Sequence, residues 1–549
     1  MKLKNKNNIL CHKASSRSNV SAAGPKLMTL FLASMLTMAV NATGRTKLVV
    51  NIVVDGLRLE TLDQLSRHLS DKGFNRLIIN GVTIENVDFG TNLDPVASTA
   101  MLLTGAAPSV NGIPSATVYD PVALRSVNVL DDGKTIGNYT DETYSLSRLA
   151  VTTLADEIRI AGGGVTYAYA ISPDAMCSLL MGGHAANSAV WINDKTANWA
   201  STTYYKEFPT PAANANRVNS LGNRLDTITW TPASGINTMA LLPDHLTRYP
   251  FRYTFPRSNS DRIYNFKLSP LVNDEVTRLA TEYISVLELG RHDGTDILSL
   301  GYTLVPYDAS KSPENRYEQI DAYIKLDAAL GRLFAAVDKN VGEGNALFVL
   351  SATPPPVTRR VDTAKWQLPG GVFSTRKAVS LLNMYLMAKY GNGQWVKGFH
   401  NGQFFLNSDL AESKGHDMVK MRADCGSFLA RMSGVHDVMT IDDLMSGTND
   451  TERSAARRRN IDAHVSGDLF VDILPGWELV DDFNNPSQKH ARQTAKAVTT
   501  APAFIMAPGV KPSRIATPVD ARSIAPTMTR LLRIRSPNGS DTPPLNLEQ

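Results

Sequence analysis

The stretch that decides the fold is residues 91–112, TNLDPVASTAMLLTGAAPSVNG. Within it Asp94 and Pro95 open an apolar helical segment, because aspartate is a favoured N-cap residue and proline is tolerated in the first helical turn. Upstream, the apolar run over residues 47–54 predicts a strand that ends at Asp55. Open α/β sheets place their chemistry at such strand ends, so the sequence indicates a candidate site around Asp55.

Strand and helix signals alternate along most of the chain. The continuous β-branched run over residues 48–54 is typical of a strand buried on both faces of a parallel sheet. We therefore predict an α/β fold, with one central, mostly parallel sheet and helices on both faces. Two less regular ranges, at about 182–293 and 354–459, are predicted to be insertions that cap the carboxyl edge of the sheet. Within the second, the charged stretch 451–459 is predicted to be a solvated loop.

The N-terminal region predicts an export signal. Six basic residues precede residue 43, no acidic residue precedes Asp55, and residues 27–40 form an apolar run. The run is short for a membrane span, and Val40-Asn41-Ala42 fits the small-residue pattern of signal cleavage sites. We predict a signal peptide over residues 1–42 and export of residues 43–549 to the periplasm or cell surface. The alternative is an uncleaved anchor, which would hold the chain at a membrane.

The net charge of the chain limits the classes of macromolecule that it could bind. Without the signal, 50 basic residues face 52 acidic ones, which gives a net charge of −2. A near-neutral surface gives no electrostatic basis for binding nucleic acid.

The two remaining cysteines, Cys177 and Cys425, could pair in an oxidising compartment or lie apart as small buried side chains. The sequence contains no CxxC motif or Cys/His cluster that would indicate a thiolate zinc site.

Three segments together resemble the alkaline phosphatase superfamily. They are VVDGLR at residues 53–58, LLTGAAPSVNGI at residues 102–113 and DARSIAPTMTRLL at residues 520–532. The most similar branch is the bacterial envelope phosphatases related to nucleotide pyrophosphatase/phosphodiesterases. The resemblance covers nearly the whole mature chain and implies an alkaline-phosphatase-like sheet. It also implies two zinc ions held by about six side chains, with a Thr or Ser nucleophile between them.

Most positions that the resemblance assigns to this chemistry hold other residues. Pro95 stands at the nucleophile position and has no hydroxyl group. Asp55 is retained as the first carboxylate, and His490 is the candidate for the last histidine. The other metal-ligand positions are lost and the two phosphate-binding positions are degenerate; these residues are Pro306, Ser310, Thr353 and Pro354, and then Asp174 and Met176.

The retained residues also have structural explanations. Asp55 could hold backbone amides at the end of its strand, and Asp94-Pro95 could be an N-cap followed by a first-turn proline. His490 could be an exposed loop histidine. With its metal partners absent, we interpret Asp55 as a structural residue, and both Asp55 and His490 remain candidates for vestigial ligands.

Two substitute sites are conceivable. The dipeptides His416-Asp417 and His436-Asp437 could rebuild a metal site, although neighbouring residues supply two ligands to one ion only in a loop. Ser98 and Thr99 could replace the nucleophile, but they lie inside the predicted helix and have no evident base to activate them. Neither possibility restores the chemistry that the resemblance implies.

Aromatic residues mark the first predicted insertion: Trp191, Trp199, Tyr204, Tyr205 and Trp230. Exposed aromatic side chains in an exported protein can form a glycan or protein contact patch. Buried ones would instead pack the insertion onto its host domain, which is the interpretation we favour.

The sequence as a whole predicts a catalytically inactive, alkaline-phosphatase-like protein. We expect it to act as a binding or assembly component of the bacterial cell envelope, with a protein partner and no cofactor. The alternative is an active metal-dependent phosphatase or phosphodiesterase, of the nucleotide pyrophosphatase type, with a rebuilt site.

Overall fold

The computed structural model describes residues 46–91, 93–234, 236, 250–307, 316–355, 367, 369–447, 451–483, 492–493 and 498–547. The predicted signal peptide, Ser310 and His490 therefore lie outside the described residues. None of the helices in the described ranges is both long and apolar enough to cross a membrane.

The strands are numbered along the chain: β1 (Leu48–Asp55), β2 (Val82–Asp88), β3 (Thr117–Asp120), β4 (Arg125–Asn128), β5 (Gly137–Asn138), β6 (Ala168–Ser172), β7 (Ser188–Ile192), β8 (Trp199–Thr202), β9 (Thr229–Trp230), β10 (Tyr253–Thr254), β11 (Asp296–Thr303), β12 (Ala346–Ala352), β13 (Val372–Ser374), β14 (Val396–His400), β15 (Gln403–Leu406), β16 (Val435–Thr440), β17 (Leu469–Ile473), β18 (Glu478–Val480), β19 (Arg492–Gln493), β20 (Thr500–Met506), β21 (Ser513–Ile515) and β22 (Val519–Asp520).

The α-helices are numbered in the same way: α1 (Leu59–Leu65), α2 (Phe74–Asn80), α3 (Pro95–Thr104), α4 (Pro108–Asn111), α5 (Leu154–Ala161), α6 (Ala175–Gly182), α7 (Thr210–Val218), α8 (Leu221–Arg224), α9 (Arg262–Leu268), α10 (Leu271–Val286), α11 (Arg316–Val341), α12 (Thr375–Tyr390), α13 (Ser408–Ser413), α14 (Met418–Leu429), α15 (Ile441–Ser446), α16 (Glu452–Arg459) and α17 (Ile524–Leu532).

Strand β1 lies in the middle of the central sheet, whose strand order is β21-β2-β20-β12-β1-β11-β6-β7-β8-β5, with β22 beside β2. The pairs formed among β12, β1, β11, β6 and β7 are parallel, and β20 and β8 introduce antiparallel pairs on either side. Val53 belongs to a hydrophobic core on one face of the sheet, which α6 covers. Val54 belongs to the core on the other face, which α10 and α11 cover. The predicted fold class is confirmed.

The first predicted insertion, 182–293, begins inside the central sheet. Strand β7 pairs with β6, and β8 pairs with β7, so this part of the range extends the sheet and does not cap it. The tryptophans Trp191, Trp199 and Trp230 are buried. These aromatic residues therefore pack into the host domain, as the favoured interpretation requires. The loose sequence pattern concealed β7 and β8 because both strands are short.

The second predicted insertion forms a module with its own hydrophobic core. Its sheet has the order β14-β15-β17-β16, and residues of α12 and α14 fill the core beside it. The module continues past the predicted limit at 459, because β17 pairs with β15 and β16 and does not return to the central sheet.

The prediction of a solvated loop over residues 451–459 is wrong. Residues Glu452–Arg459 form α16, because Thr451 caps its first turn in a reciprocal pair of hydrogen bonds with Ser454. The helix is held to the module by Arg457, whose guanidinium bonds both carboxylate oxygens of Asp472 at 2.7 and 2.9 Å. Two arginines of this stretch, Arg453 and Arg457, are therefore paired with Asp472 within the module.

The two cysteines are not joined. Cys177 is half-buried on α6, and Cys425 is buried in the core of the second module. Burial raises the pKa of both thiols, so neither is a ready nucleophile at neutral pH.

A buried carboxylate, Asp156, connects the start of α5 to the loop after α6. It accepts hydrogen bonds from the backbone amides of Thr153 and Ala185 at 2.8 and 2.7 Å and from Nδ1 of His184 at 3.0 Å. Because Nε2 of His184 also faces an acceptor, the carbonyl of Leu149 at 3.0 Å, both hydrogen bonds form together only when the imidazole is protonated. The hydrogen bond to Asp156 raises the pKa of His184; burial opposes ionisation of Asp156, but its hydrogen bonds outweigh burial and lower its pKa.

This pair predicts a pH dependence of stability. A raised histidine pKa adds stability that is present below about pH 6.5 and is lost as the pH rises through the folded value, whereas the lowered Asp156 pKa adds stability that is lost in acid. His184→Gln should therefore cost about 0.5–1 kcal/mol more at pH 5 than at pH 8, a small effect because His184 is 35% exposed. Urea unfolding at the two pH values tests this. The exposed His68→Gln should show no such difference, and an equal effect for both variants would contradict the prediction.

Candidate functional site

The candidate site lies where β1, β11 and β12 end side by side. The parallel register pairs Asp55 with Thr303 and Val54 with Ala352, so Thr353 follows directly beside Asp55. The Thr353 hydroxyl donates a hydrogen bond of 2.7 Å to Oδ1 of Asp55, and its backbone amide donates to the carbonyl of Val54 at 3.2 Å. A threonine thus satisfies one oxygen of Asp55 at the position where the resemblance expects a metal ligand.

Helix α3 starts at the candidate nucleophile position. Pro95 is its first residue, and Asp94 is the N-cap, as the sequence predicts. Asp94 uses both carboxylate oxygens for backbone amides: Oδ1 accepts from Ala97 at 2.9 Å and Oδ2 accepts from Ala116 at 2.6 Å. The proline fits the first turn because its missing N–H would have no intrahelical partner there.

Asp174 and Met176 lie at the start of α6. Asp174 is the N-cap of this helix and accepts a hydrogen bond of 2.8 Å from the amide of Cys177. Met176 is half-buried against the core that α6 covers. The Cys177 sulfur lies 3.9 Å from the hydroxyl of Thr99 on α3, which links the two helices. Asp174 therefore has a structural role that its place directly before an apolar helix could have revealed.

Asp94 and Asp174 lie near enough to Asp55 to oppose its ionisation. Burial raises the pKa of Asp55 to about 6, and repulsion from Asp174 and Asp94 adds to the shift, while the Thr353 hydrogen bond opposes it. Burial also raises the pKa of Asp94, against the stabilising effect of the amides that it caps. Without a cation at this edge, a phosphate ester would meet negative charge.

The other metal-ligand positions that the resemblance assigns provide no side chain that could bind a metal in the described part of the chain. Pro306 is half-buried in the loop after β11, and Pro354 is buried directly after Thr353. Neither proline has a side-chain oxygen or nitrogen. Ser310 and His490 lie outside the described residues, so the structure does not place them.

The residues considered as substitute metal ligands or nucleophiles have other positions and contacts in the fold. In the second module, Asp417 caps α14 by accepting from Val419 at 2.9 Å, and His416 packs against the ring of Trp395. His436 is exposed, and its neighbour Asp437 forms an ion pair with Arg453. Ser98 and Thr99 are buried inside α3. These residues lie in separate elements and do not converge on one point.

The described donor set does not fit a pair of zinc ions. Zinc pairs need about six nitrogen or oxygen ligands held at short distances. In the described ranges no group of three or more His, Cys, Asp or Glu side chains could hold a metal ion. Asp94 and Asp174 are committed to helix caps, and Asp55 is bonded to Thr353.

A family model, two known proteins and a crystal structure are similar to this chain. A family model described as type I phosphodiesterase / nucleotide pyrophosphatase matches residues 49–354. The chain is 26% identical over 511 residues to alkaline phosphatase PhoV of Synechococcus elongatus, covering 90% of this chain and 92% of that protein. It is 24% identical over 527 residues to alkaline phosphatase PafA of Elizabethkingia meningoseptica, covering 92% and 95%. The crystal structure of wild-type PafA superposes with a TM-score of 0.78 at 24% identity, covering 92% of this chain and 99% of that one, which establishes the shared fold.

Proposed function

The chain belongs to the type I phosphodiesterase / nucleotide pyrophosphatase family. We propose that it is a member that has lost hydrolysis and acts as a binding or assembly component of the cell envelope. The observation that carries this proposal is the hydrogen bond between Thr353 and Asp55. It gives the one retained carboxylate a protein partner where a metal would otherwise be needed. With Oδ1 occupied, a metal-dependent reaction would have only the second oxygen of Asp55 and would have to recruit all its other ligands.

The start of α3 also supports the loss of catalysis. Covalent phosphoryl transfer needs a nucleophilic oxygen, and Pro95 has none. The neighbouring side chain, Asp94, already accepts hydrogen bonds from two backbone amides with its two carboxylate oxygens. The helix remains intact without the nucleophile because Asp94 and Pro95 together satisfy its first turn.

The second candidate function is hydrolysis of phosphate esters. The names of the relatives favour it, since PhoV and PafA are both alkaline phosphatases. An active site in this chain would require metal ligands supplied by segments that the structure does not describe. Such an enzyme would need a nucleophile other than residue 95.

A hydrolysis assay separates the two candidates. The protein, supplied with zinc, should hydrolyse an aryl phosphate monoester and a bis-aryl phosphodiester at rates within about tenfold of the buffer alone, because no nucleophile is positioned. Pro95→Thr should leave these rates unchanged, since a hydroxyl without metal ligands is not activated. Zinc-dependent, saturable turnover that Asp55→Asn abolishes would contradict the proposal, and turnover that survives Asp55→Asn would indicate a contaminating enzyme.

The envelope location and the protein partner are parts of the same proposal. The basic and apolar N-terminal stretch supports export, and the intact helix caps at the former site support a scaffold kept for binding. Fractionation of the native cell should place the chain in the envelope, where mild solubilisation should yield a complex of fixed stoichiometry. Recovery as a lone chain from the cytoplasm would contradict both parts.

A further inference from the structure

The tip of the β3–β4 hairpin is an exposed apolar turn. The two strands are connected by four exposed residues: Pro121, Val122, Ala123 and Leu124. Val122 is 91% exposed and Leu124 is 58% exposed. Single exposed apolar residues are common on protein surfaces, but four in succession at the end of a hairpin call for a physical explanation.

The conformation of the tip is fixed by the side chain of Asp120, the residue before it. Oδ1 of Asp120 accepts hydrogen bonds from the amides of Val122 at 2.8 Å and Ala123 at 3.0 Å. Leu124 closes the turn with φ of 52°, a left-handed conformation that leucine rarely adopts. The turn therefore presents its apolar side chains in a fixed arrangement.

The base of the hairpin is anchored to the second module. The Tyr119 hydroxyl donates to the carbonyl of Lys397 at 2.7 Å, and the Tyr119 ring lies 4.5 Å from that of Phe405. The ring of His400 bonds the Ser126 hydroxyl at 2.8 Å and the carbonyl of Thr117 at 3.1 Å. These contacts hold both strands at the base of the hairpin against the second module.

We propose that this tip inserts into the interface of a phospholipid bilayer. Backbone donors that enter lipid must be satisfied within the protein. Proline has no N–H, and the amides of Val122 and Ala123 are bonded to Asp120, so three of the four tip residues bring no free donor. A protein partner would normally form hydrogen bonds with such a turn, and here those donors are already occupied.

The charge next to the tip also suits a bilayer. The tip itself carries no charged side chain. Arg125 follows Leu124 and pairs with Asp120 across the hairpin, so their opposite charges lie together at the level of the headgroups when the tip is inserted. The formal net charge is small in both forms, +4 with residues 1–42 and −2 without them, so it does not decide the contact with an anionic membrane. Four apolar side chains give a weak and reversible attachment, which would act together with other envelope contacts. This attachment depends neither on the N-terminal segment nor on whether catalysis is lost.

Quenching of a tryptophan by brominated phospholipids tests the proposal on the full chain. V122W places the fluorophore on the tip, and V218W places it at another exposed valine, 75% exposed, at the end of α7. Both variants share the N-terminal segment and the six native tryptophans, so a difference in quenching between them comes from the introduced residue. With vesicles of phosphatidylethanolamine and phosphatidylglycerol, the tryptophan introduced by V122W should lose at least about half its emission, and that introduced by V218W should lose almost none.

Two further outcomes complete the test. Adding the substitutions L124S and A123S to V122W should reduce the quenching by about tenfold, because the apolar area that enters the bilayer is removed. Absence of quenching with V122W, or equal quenching at both positions, would overturn the proposal. A spectral change that occurs only with vesicles containing native envelope proteins would also overturn it, because the tip would then bind a protein.

Discussion

Replacing Asp55 with asparagine is expected to stabilise the folded protein by about 1–3 kcal/mol above pH 6. The folded pKa of Asp55 is about 6, against an ordinary value of 3.8, because the carboxylate is buried near Asp174 and Asp94. A raised acid pKa means that the folded state loses stability as the pH rises from about 4 to about 6. Asparagine removes this cost and can still accept the hydrogen bond from Thr353.

The pH profile of the effect is diagnostic. Urea unfolding of the parent and Asp55→Asn should give equal stabilities at pH 4 and a clear advantage for the variant at pH 8. Asp71→Asn, at an exposed position, is the matched control and should change the free energy of unfolding by less than about 0.5 kcal/mol at both pH values. If Asp55 ligates a metal, the result reverses: the substitution would destabilise the protein in zinc-containing buffer.

Replacing Trp230 with alanine is expected to destabilise the protein by about 3–5 kcal/mol. The side chain is buried, and its ring centroid lies 5.1 Å from that of Phe251 and 5.2 Å from that of Tyr253. Its indole Nε1 donates to Oδ2 of the buried Asp321 at 2.5 Å. Truncation opens a cavity and also removes a donor from a buried carboxylate, which adds to the cost.

Two variants separate packing from surface contact. Trp230→Phe keeps most of the packing and loses the hydrogen bond, so we expect about 1–3 kcal/mol. Tyr264→Ala removes an aromatic ring that is 64% exposed in the same part of the chain and should cost less than about 1 kcal/mol. Denaturant unfolding provides all three values. Similar costs for Trp230→Ala and Tyr264→Ala would contradict a packing role for the buried tryptophan.

The fold was predictable because its signals are local and strong. The run at β1 is apolar at nearly every position, which is expected only of a strand covered on both faces, and seven of its eight residues are buried. The strands β7 and β8 were missed because four or five residues carry little periodicity. Helix α16 was missed because its arginines were interpreted as solvated, whereas Asp472, distant in sequence, pairs with two of them.

The site was predictable only where its contacts are local. Asp94 could be recognised as an N-cap because it immediately precedes Pro95 and an apolar helix. The partner of Asp55 could not be recognised, because 298 residues separate it from Thr353 and only the parallel register of β1 and β12 brings them together. The convergence of Asp174 on Asp55 has the same origin, since it depends on the order of strands in the sheet.

The amount of zinc bound by the full chain tests the central claim most directly. Protein purified without chelator and dialysed against zinc should contain well under one zinc ion per chain by elemental analysis, because the described strand ends supply too few ligands. Asp55→Asn should contain the same amount. Two zinc ions per chain in the parent, with a loss in Asp55→Asn, would contradict the account and identify the protein as a metal-dependent hydrolase.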